Sequence, residues 1–428
     1  MNTQMIICIL LFIAMLISFL IAKLPLGVTA GTVAALLVLT NCTEPDTILK
    51  GIGSANAVTI ACMIILAVGL GRTSFPAKLT SGIRKITGGN YKLAYLGVLL
   101  IALALTSMLT SPMAAYAIAF PIMDSVCDEF GVSRSKAQFP LLVICLACCA
   151  ILPLGGSISQ AAVYDGYMQT YGFTQGFTAL DFFHGRWPFI FIVLIWAYFI
   201  APKITLEKPA APIAALEAKK NASKPLGGFA DIAGVCIFTL VILGFIFNKQ
   251  MGMPTWYISF FGVMAMIICG TLTKNEAIKA IPVDICMLFI GANTMATALV
   301  ATGTAEYIGS IISQTVGNAT NTFVLHAVFF IVPFLITQFM QNQSVMNVFA
   351  PIALITCSAI GADPRGCLVL ISAGSLTAYM TPSATAAVPM CMSAGGYDVK
   401  ALFKMGWLFA VILCVGYVGF VSLTMPAF

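Results

Sequence analysis

The chain has 428 residues, 60% of them hydrophobic and only 8% charged, with a net charge of +6. This excludes a soluble globular domain, which could not keep so much apolar surface from water. The 14 cysteines are scattered through apolar runs, which excludes a disulfide framework.

Ten apolar runs approach the roughly 20 residues that a spanning helix needs. The first, 5–22, follows "MNTQM" with no basic residue ahead of it, so it reads as a span and not as a signal peptide. Spans at 26–40 and 54–71 come next. The apolar stretch 93–126 is too long for one span and is interrupted by "LTSMLTSPMAA", which carries Thr106, Ser107, Thr110, Ser111 and Pro112. It predicts a helical hairpin that enters the membrane and returns. The span 138–163, with its tail to about 168, is broken by "ILPLGGSISQ", where Pro153, Gly155 and Gly156 free the backbone. A span at 186–202 follows. Residues 203–229 form the one long polar segment and read as a cytoplasmic linker, with 204–229 as its core.

Beyond the linker the order repeats. Spans at 230–247, 254–271 and 284–302 lead to a second hairpin, 322–358, interrupted by "FMQNQSVMNVFAPIA". A broken span at 366–391 contains "YMTPSATAAV", and a last span covers 405–424. At an offset of 229 residues Pro25 meets Pro254 and Pro153 meets Pro382; at 230, Pro121 and Ile122 meet Pro351 and Ile352. Each half holds five spans and a hairpin. Five is odd, so the second half inserts upside down. The expected fold is an all-α polytopic membrane protein of two inverted repeats, 1–203 and 230–428. Inverted repeats of this kind mark secondary transporters that bind at the membrane midplane.

Charge fixes an orientation. This layout puts 17 of the 21 Lys and Arg on one side, leaving Lys50, Arg186, Lys249 and Arg365 on the other. The rich side is cytoplasmic by the positive-inside rule, so both termini lie outside. The net charge follows from this bias and points to no nucleic-acid partner. The membrane is then a plasma or inner membrane, with lipid as the surrounding partner.

The two hairpin tips and the two broken spans carry the chemistry. Helix N-termini there present N–H donors that suit an anion. Unwound carbonyls and hydroxyls suit a hard cation such as sodium. Three carboxamides, Gln341, Asn342 and Gln343, lie together with Ser344 in the second tip, which is costly in lipid unless they find partners. No Asp, Glu, Lys or Arg is required at mid-depth, which leans away from a proton relay and toward sodium coupling. Asn293 and Thr294 fit either helix glue or a site. His326 reads as packed or hydrogen-bonded, and His184 as an external-loop residue. Cys145, Cys148 and Cys149 are close enough in sequence to raise a metal site, although thiols are ordinary in apolar helices. With no nucleophile, base and metal-ligand set at membrane depth, the chain is not read as an enzyme, and no organic cofactor is expected.

This layout, the "FAPIA" and "AFPIM" hairpin endings, "GTAEYIG" (303–309) and "MTPSATAAVPMCMSAGGYDVKALFKMG" (380–406) together resemble the divalent anion:sodium symporter family of the ion-transporter superfamily. The resemblance covers nearly the whole chain. It implies a homodimer with a scaffold and a mobile transport domain, elevator-type alternating access, and sodium-coupled import of di- or tricarboxylates or sulfate. The alternative within the superfamily is a proton- or sodium-driven exchanger, or a carrier of an inorganic oxyanion. The family's Ser-Asn-Thr motif falls on Ser111, Pro112 and Met113 and on Gln341, Asn342 and Gln343. Its Thr-Pro-Pro-Asn motif falls on Thr385, Ala386, Ala387 and Val388, and on Gly156 to Ser159. Only Ser111, Asn342 and Thr385 keep the motif residue at these places, so Gln341 and Gln343 are where a changed substrate would show. Substrate contacts are expected from Ser111, Pro112, Ser157, Gln341, Asn342, Gln343, Ser344 and Thr385. One sodium site is expected at Ser107, Thr110, Ser111, Gly155 and Gly156. A second is expected at Gln341, Asn342, Thr381, Ser383 and Ala384.

Overall fold

A computed structural model describes residues 2–21, 24–74, 85, 87–109, 111–153, 156–211, 213, 226, 228–304, 307 and 321–428. Thr110, Gly155, most of the linker and part of the "GTAEYIG" stretch lie outside the described residues. Every regular element among the described residues is helical.

The long helices of the first half are α1 (Thr3–Ile21), α2 (Leu26–Leu39), α3 (Ala55–Arg72), α4 (Tyr91–Met108), α5 (Pro112–Phe130), α6 (Arg134–Ala147), α7 (Gly156–Thr170) and α8 (Ala179–Ile195). Those of the second are α9 (Gly228–Ile246), α10 (Thr255–Ile268), α11 (Val283–Ala301), α12 (Thr322–Thr337), α13 (Asn342–Ile360), α14 (Arg365–Leu376), α15 (Ala387–Gly395) and α16 (Val399–Thr424). Among the described residues five helical stretches are long and apolar enough to cross a membrane by length and composition: Asp46–Arg72, Ala179–Ile204, Gly228–Phe245, Asn342–Ile360 and Val399–Thr424. Seven further apolar helices are shorter. The chain is a multi-pass membrane protein.

The helix pairs α4–α5 and α12–α13 are built alike. Asn90 and Asn321 cap their first helices, accepting from the N–H of Lys92 and Phe323 at 2.9 and 2.8 Å. Gly131 and Gly361 end their second helices at φ +63° and +70°, the left-handed backbone that closes a helix cheaply only with glycine. Pro121 and Pro351 sit inside the second helices. Between the arms the first pair's helices end at the Leu109 cap and resume from the Ser111 cap, and the second pair's chain leaves helix at 338–341.

Two packed groups result. In one, α2 lies on α11 and α3 on α10, with α1 and α9 alongside. A methyl on Gly291 would fall 2.4 Å from the Ala30 carbonyl, so glycine is what lets α2 and α11 touch. In the other, α4 and α5 pack on α6, α12 and α13 on α14, and α8 on α16. Helices α6 and α14 are buried along nearly their whole length. The groups meet where α1 touches α16 and α11 touches α15, and where Phe12 meets Phe339 edge-on at 4.6 Å.

Helix α8 departs from the sequence expectation. It starts at Ala179, about two turns before the expected 186, because Thr178 and Asp181 form a capping box. His184, expected in a loop, is on this helix and exposed. Arg186, also expected outside, is fully buried in it. The helix continues through a π-helical turn, Trp196–Ile200, whose Ala197 carbonyl accepts the Tyr95 hydroxyl at 2.9 Å.

Candidate functional site

Four chain breaks converge on one cavity of about 260 Å³. The first tip contributes Ser111, Pro112 and Met113, and the second contributes Gln341, Asn342, Gln343 and Met346. The break after α6 contributes Cys149 and Ala150, and the break before α15 contributes Ala384, Thr385 and Ala386. Gln160 of α7, Phe182 of α8, and Ser372 and Leu376 of α14 complete the wall. Among the described residues no charged side chain lines it.

Two helix N-termini open on this space. At α5, Pro112 occupies the first turn, where its missing N–H costs nothing, and the Ser111 hydroxyl accepts from Ala114 N–H at 3.4 Å. At α13, Gln341 precedes the helix without a side-chain cap, leaving the first-turn N–H groups to face outward. Both dipoles therefore put partial positive charge at the cavity. On the opposite wall Ala150 holds φ +54°, a strained backbone for a residue with a Cβ.

The second tip is tied to its break by side chains. With its amide nitrogen turned inward, Asn342 donates to Thr337 Oγ1 at 3.0 Å, the Ser375 carbonyl at 3.2 Å and the Ala384 carbonyl at 3.1 Å. Its amide oxygen is then the group left for the cavity. Gln338 donates to the Thr377 carbonyl and accepts from Met380 N–H, both at 3.3 Å, and the Thr381 hydroxyl bonds the Gln338 carbonyl. The first tip has a lighter tie, Thr106 Oγ1 to the Cys145 carbonyl at 2.6 Å.

Of the expected site residues, Ser111, Pro112, Gln341, Asn342, Gln343, Ala384 and Thr385 line the cavity. Ser344, half-buried in the first turn of α13, does not. Ser107 and Ser157 are buried but turned back, onto the Leu103 carbonyl at 2.7 Å and the Leu152 carbonyl at 2.6 Å. Gly156 begins α7, while Thr381 and Ser383 lie buried in the second break beside the wall. Thr294 bonds its own helix at Ile290. Asn293 lines a separate cavity with Gln4 and Lys50. His326 is buried, its Nδ1 3.0 Å from Ser422 Oγ. Among the described residues no three His, Cys, Asp or Glu side chains gather as a metal site.

Sequence reasoning missed Gln160, Ser372 and Arg186. Gln160 ends the quoted break motif, and its buried Nε2 has no partner among the described residues. Ser372 shares a 2.9 Å bond with the Tyr164 hydroxyl. Arg186 lies behind the wall, one turn along α8 from Phe182. Its Nη2 donates to the Ala147 carbonyl at 3.1 Å, and its guanidinium stands 5.7 Å from the Tyr417 ring centre.

A family model described as citrate transporter (CitMHS) matches residues 14–364 and 242–427. An uncharacterised transporter of Synechocystis is 26% identical over 161 residues, 38% of this chain and 26% of that protein. Sodium/sulfate cotransporter 1 of Chlamydomonas reinhardtii is 26% identical over 189 residues, 43% of this chain and 21% of that protein. The matches thus span about a quarter of the length of these relatives. A solved structure of Neisseria gonorrhoeae MtrF superposes with a TM-score of 0.46 at 14% identity, covering 92% of this chain and 85% of that one. With the family model running through nearly the whole sequence, the chain belongs to the citrate transporter family, whose kinship with sodium-coupled anion symporters its hairpin motifs already carried.

Proposed function

We propose that this transporter imports a small di- or tricarboxylate together with sodium. The observation that carries the reading is the pair of N-termini, α5 and α13, opening on one cavity whose polar lining, among the described residues, is amides and hydroxyls with no carboxylate. Such a site favours an anion by dipole and by neutral donors. Its volume, on the order of nine waters, suits a small organic acid.

Gln341, Gln343, Ser111, Pro112 and Thr385 then hold the substrate, with Ser344 and Ser157 close by. Asn342 has its amide N–H groups committed, so its oxygen serves a cation better than an anion. Together with Gln341, Thr381, Ser383 and the Ala384 carbonyl it forms the second sodium site. Ser107, Thr110, Ser111, Gly155 and Gly156 form the first. A second reading takes an inorganic oxyanion as substrate, and the relative named as a sodium/sulfate cotransporter favours it.

Reciprocal packing of α2 on α11 and α3 on α10 supports an inverted repeat, since α2 corresponds to α10 and α3 to α11 at the 229-residue offset. The two packed groups support a scaffold and a moving transport domain in a homodimeric elevator. The Lys and Arg bias supports termini outside and a cytoplasmic linker.

The test is uptake of citrate, succinate and sulfate into proteoliposomes, with and without an inward sodium gradient. Accumulation should require sodium. Equal uptake without it removes the coupling, and no uptake of any of the three overturns the function.

A further inference from the structure

Arg186 is the least expected residue in the molecule. It is a guanidinium with no exposed surface, on a helix that packs against the cavity wall. It donates to the Ala147 carbonyl, and it also reaches the Tyr417 side chain. Its Nε and Nη1 are buried without a partner, and no carboxylate pairs with it there. The face of Tyr417 offers a weak cation–π contact and no countercharge. An arginine cannot shed its proton to escape burial. Buried charges are ordinarily paired, and this one stands out as unpaired.

Its position explains where a partner would come from. Ala147 ends α6, and the chain then turns through Cys148 and Cys149 to the strained Ala150. Cys149 and Ala150 line the cavity, and so does Phe182, one turn before Arg186 on α8. The guanidinium is close enough for its charge to act on the Cys149 thiol. Its bond to Ala147 thus ties it to the turn that, two residues on, lines the cavity with Cys149 and Ala150.

We propose that Arg186 is a positioning residue that supplies the fixed positive charge answering an anion in the cavity, and that it favours divalent over monovalent substrates. The proposal rests on the anion reading above and adds the residue that sets charge preference. In a low-dielectric interior a fixed charge acts across one layer of atoms, because little water screens it. The empty protein carries an uncompensated cation; a bound dianion compensates it.

The cost of the unpaired charge makes the proposal testable. A residue kept for structure should destabilise the fold when removed. A charge kept for ligand should not, because an apolar side chain of similar length fills the same space without the desolvation penalty. Purified Arg186→Met is therefore expected to melt at the same or a higher temperature than the wild type. Its affinity for sulfate, succinate and citrate should fall by about tenfold or more. The preference for succinate over its monomethyl ester should shrink, which a merely structural role would not cause. A lowered melting temperature with an unchanged preference overturns the proposal. If Arg186→Met does not fold, Arg186→Lys carries the test, since it keeps the charge and loses the planar fork. A retained dianion preference in Arg186→Lys supports the proposal, and a lost one overturns it. If the wild type binds none of these anions, the proposed function falls on its own. The melting arm still decides whether the charge is a structural one.

Discussion

The junction of α5 with α6 and the belt around the cavity are both polar regions of an apolar protein, and they are built on opposite rules. At the junction Arg134 is surrounded by carboxylates: Nη1 lies 2.7 Å from Asp124 Oδ2 and Nη2 lies 2.9 Å from Asp128 Oδ2. Gln138 donates to the other oxygen of Asp124 at 2.7 Å and to the Phe120 carbonyl at 3.1 Å, and it accepts from the Tyr116 hydroxyl at 2.7 Å. Around the cavity Gln160 Nε2, Ser375 Oγ, Ser383 Oγ and two nitrogens of Arg186 are buried without partners among the described residues. Most buried polar groups in proteins are satisfied, so a cluster of exceptions needs a reason. The junction uses its polar groups to fix the fold. The belt leaves them open for something that binds.

Breaking the junction should show as lost stability. Arg134→Met leaves two carboxylates facing each other near the protein interior and should cost roughly 3–5 kcal/mol, read as a lower melting temperature in detergent. Breaking the belt should show as lost transport. Asn342→Ala removes the tie to Ser375 and Ala384 and the oxygen left for the cavity. Uptake should fall by about tenfold or more, equivalent to about 1.4 kcal/mol, while the protein still folds. Full uptake by this variant would separate Asn342 from the site. Gln160→Met sharpens the contrast, because it removes a buried donor that nothing answers. The melting temperature should hold or rise, with a gain of up to about 1 kcal/mol, while uptake falls. The smallest effect belongs to Ser111→Ala, which takes away the cap of α5. It should cost about 1 kcal/mol of helix stability and lower uptake, measured by a melt and an initial-rate assay on the same preparation.

Much of this was legible in the chain. Apolar runs located the helices, and Pro and Gly located the breaks. "LTSP" and "FMQNQS" marked two tips that prove to face one cavity. Other features were not legible, for physical reasons. "DFFHGRWPF" mixes charge with aromatic residues, so hydropathy places the start of α8 too late and Arg186 outside. Asp181 is in fact a cap for the helix start, and Arg186 two turns in is turned toward the protein. Which hydroxyl faces the cavity depends on helix rotation. Ser107 and Ser157 have the expected position along the chain, but their hydroxyl protons go to carbonyls four and five residues back, which no sequence pattern shows. The ties made by Gln338 and Asn342 join residues about 40 positions apart, beyond any local pattern.

The wide turn at Trp196–Ile200 has a consequence for how this chain tolerates change in length. A π-helical turn holds one residue more than an α-helical turn. Deleting one residue there would restore regular pitch and leave the rest of the helix facing nearly as before, because a π-turn with its extra residue covers about the same rotation as an α-turn without it. Trp196 now stacks on Phe409 with centroids 4.0 Å apart, and the carbonyl that the turn releases at Ala197 receives Tyr95 from the first hairpin. Both contacts are made by residues of this turn. A one-residue deletion within 196–200 should therefore disturb the turn's own contacts with Phe409 and Tyr95 while the rest of the helix keeps its facing.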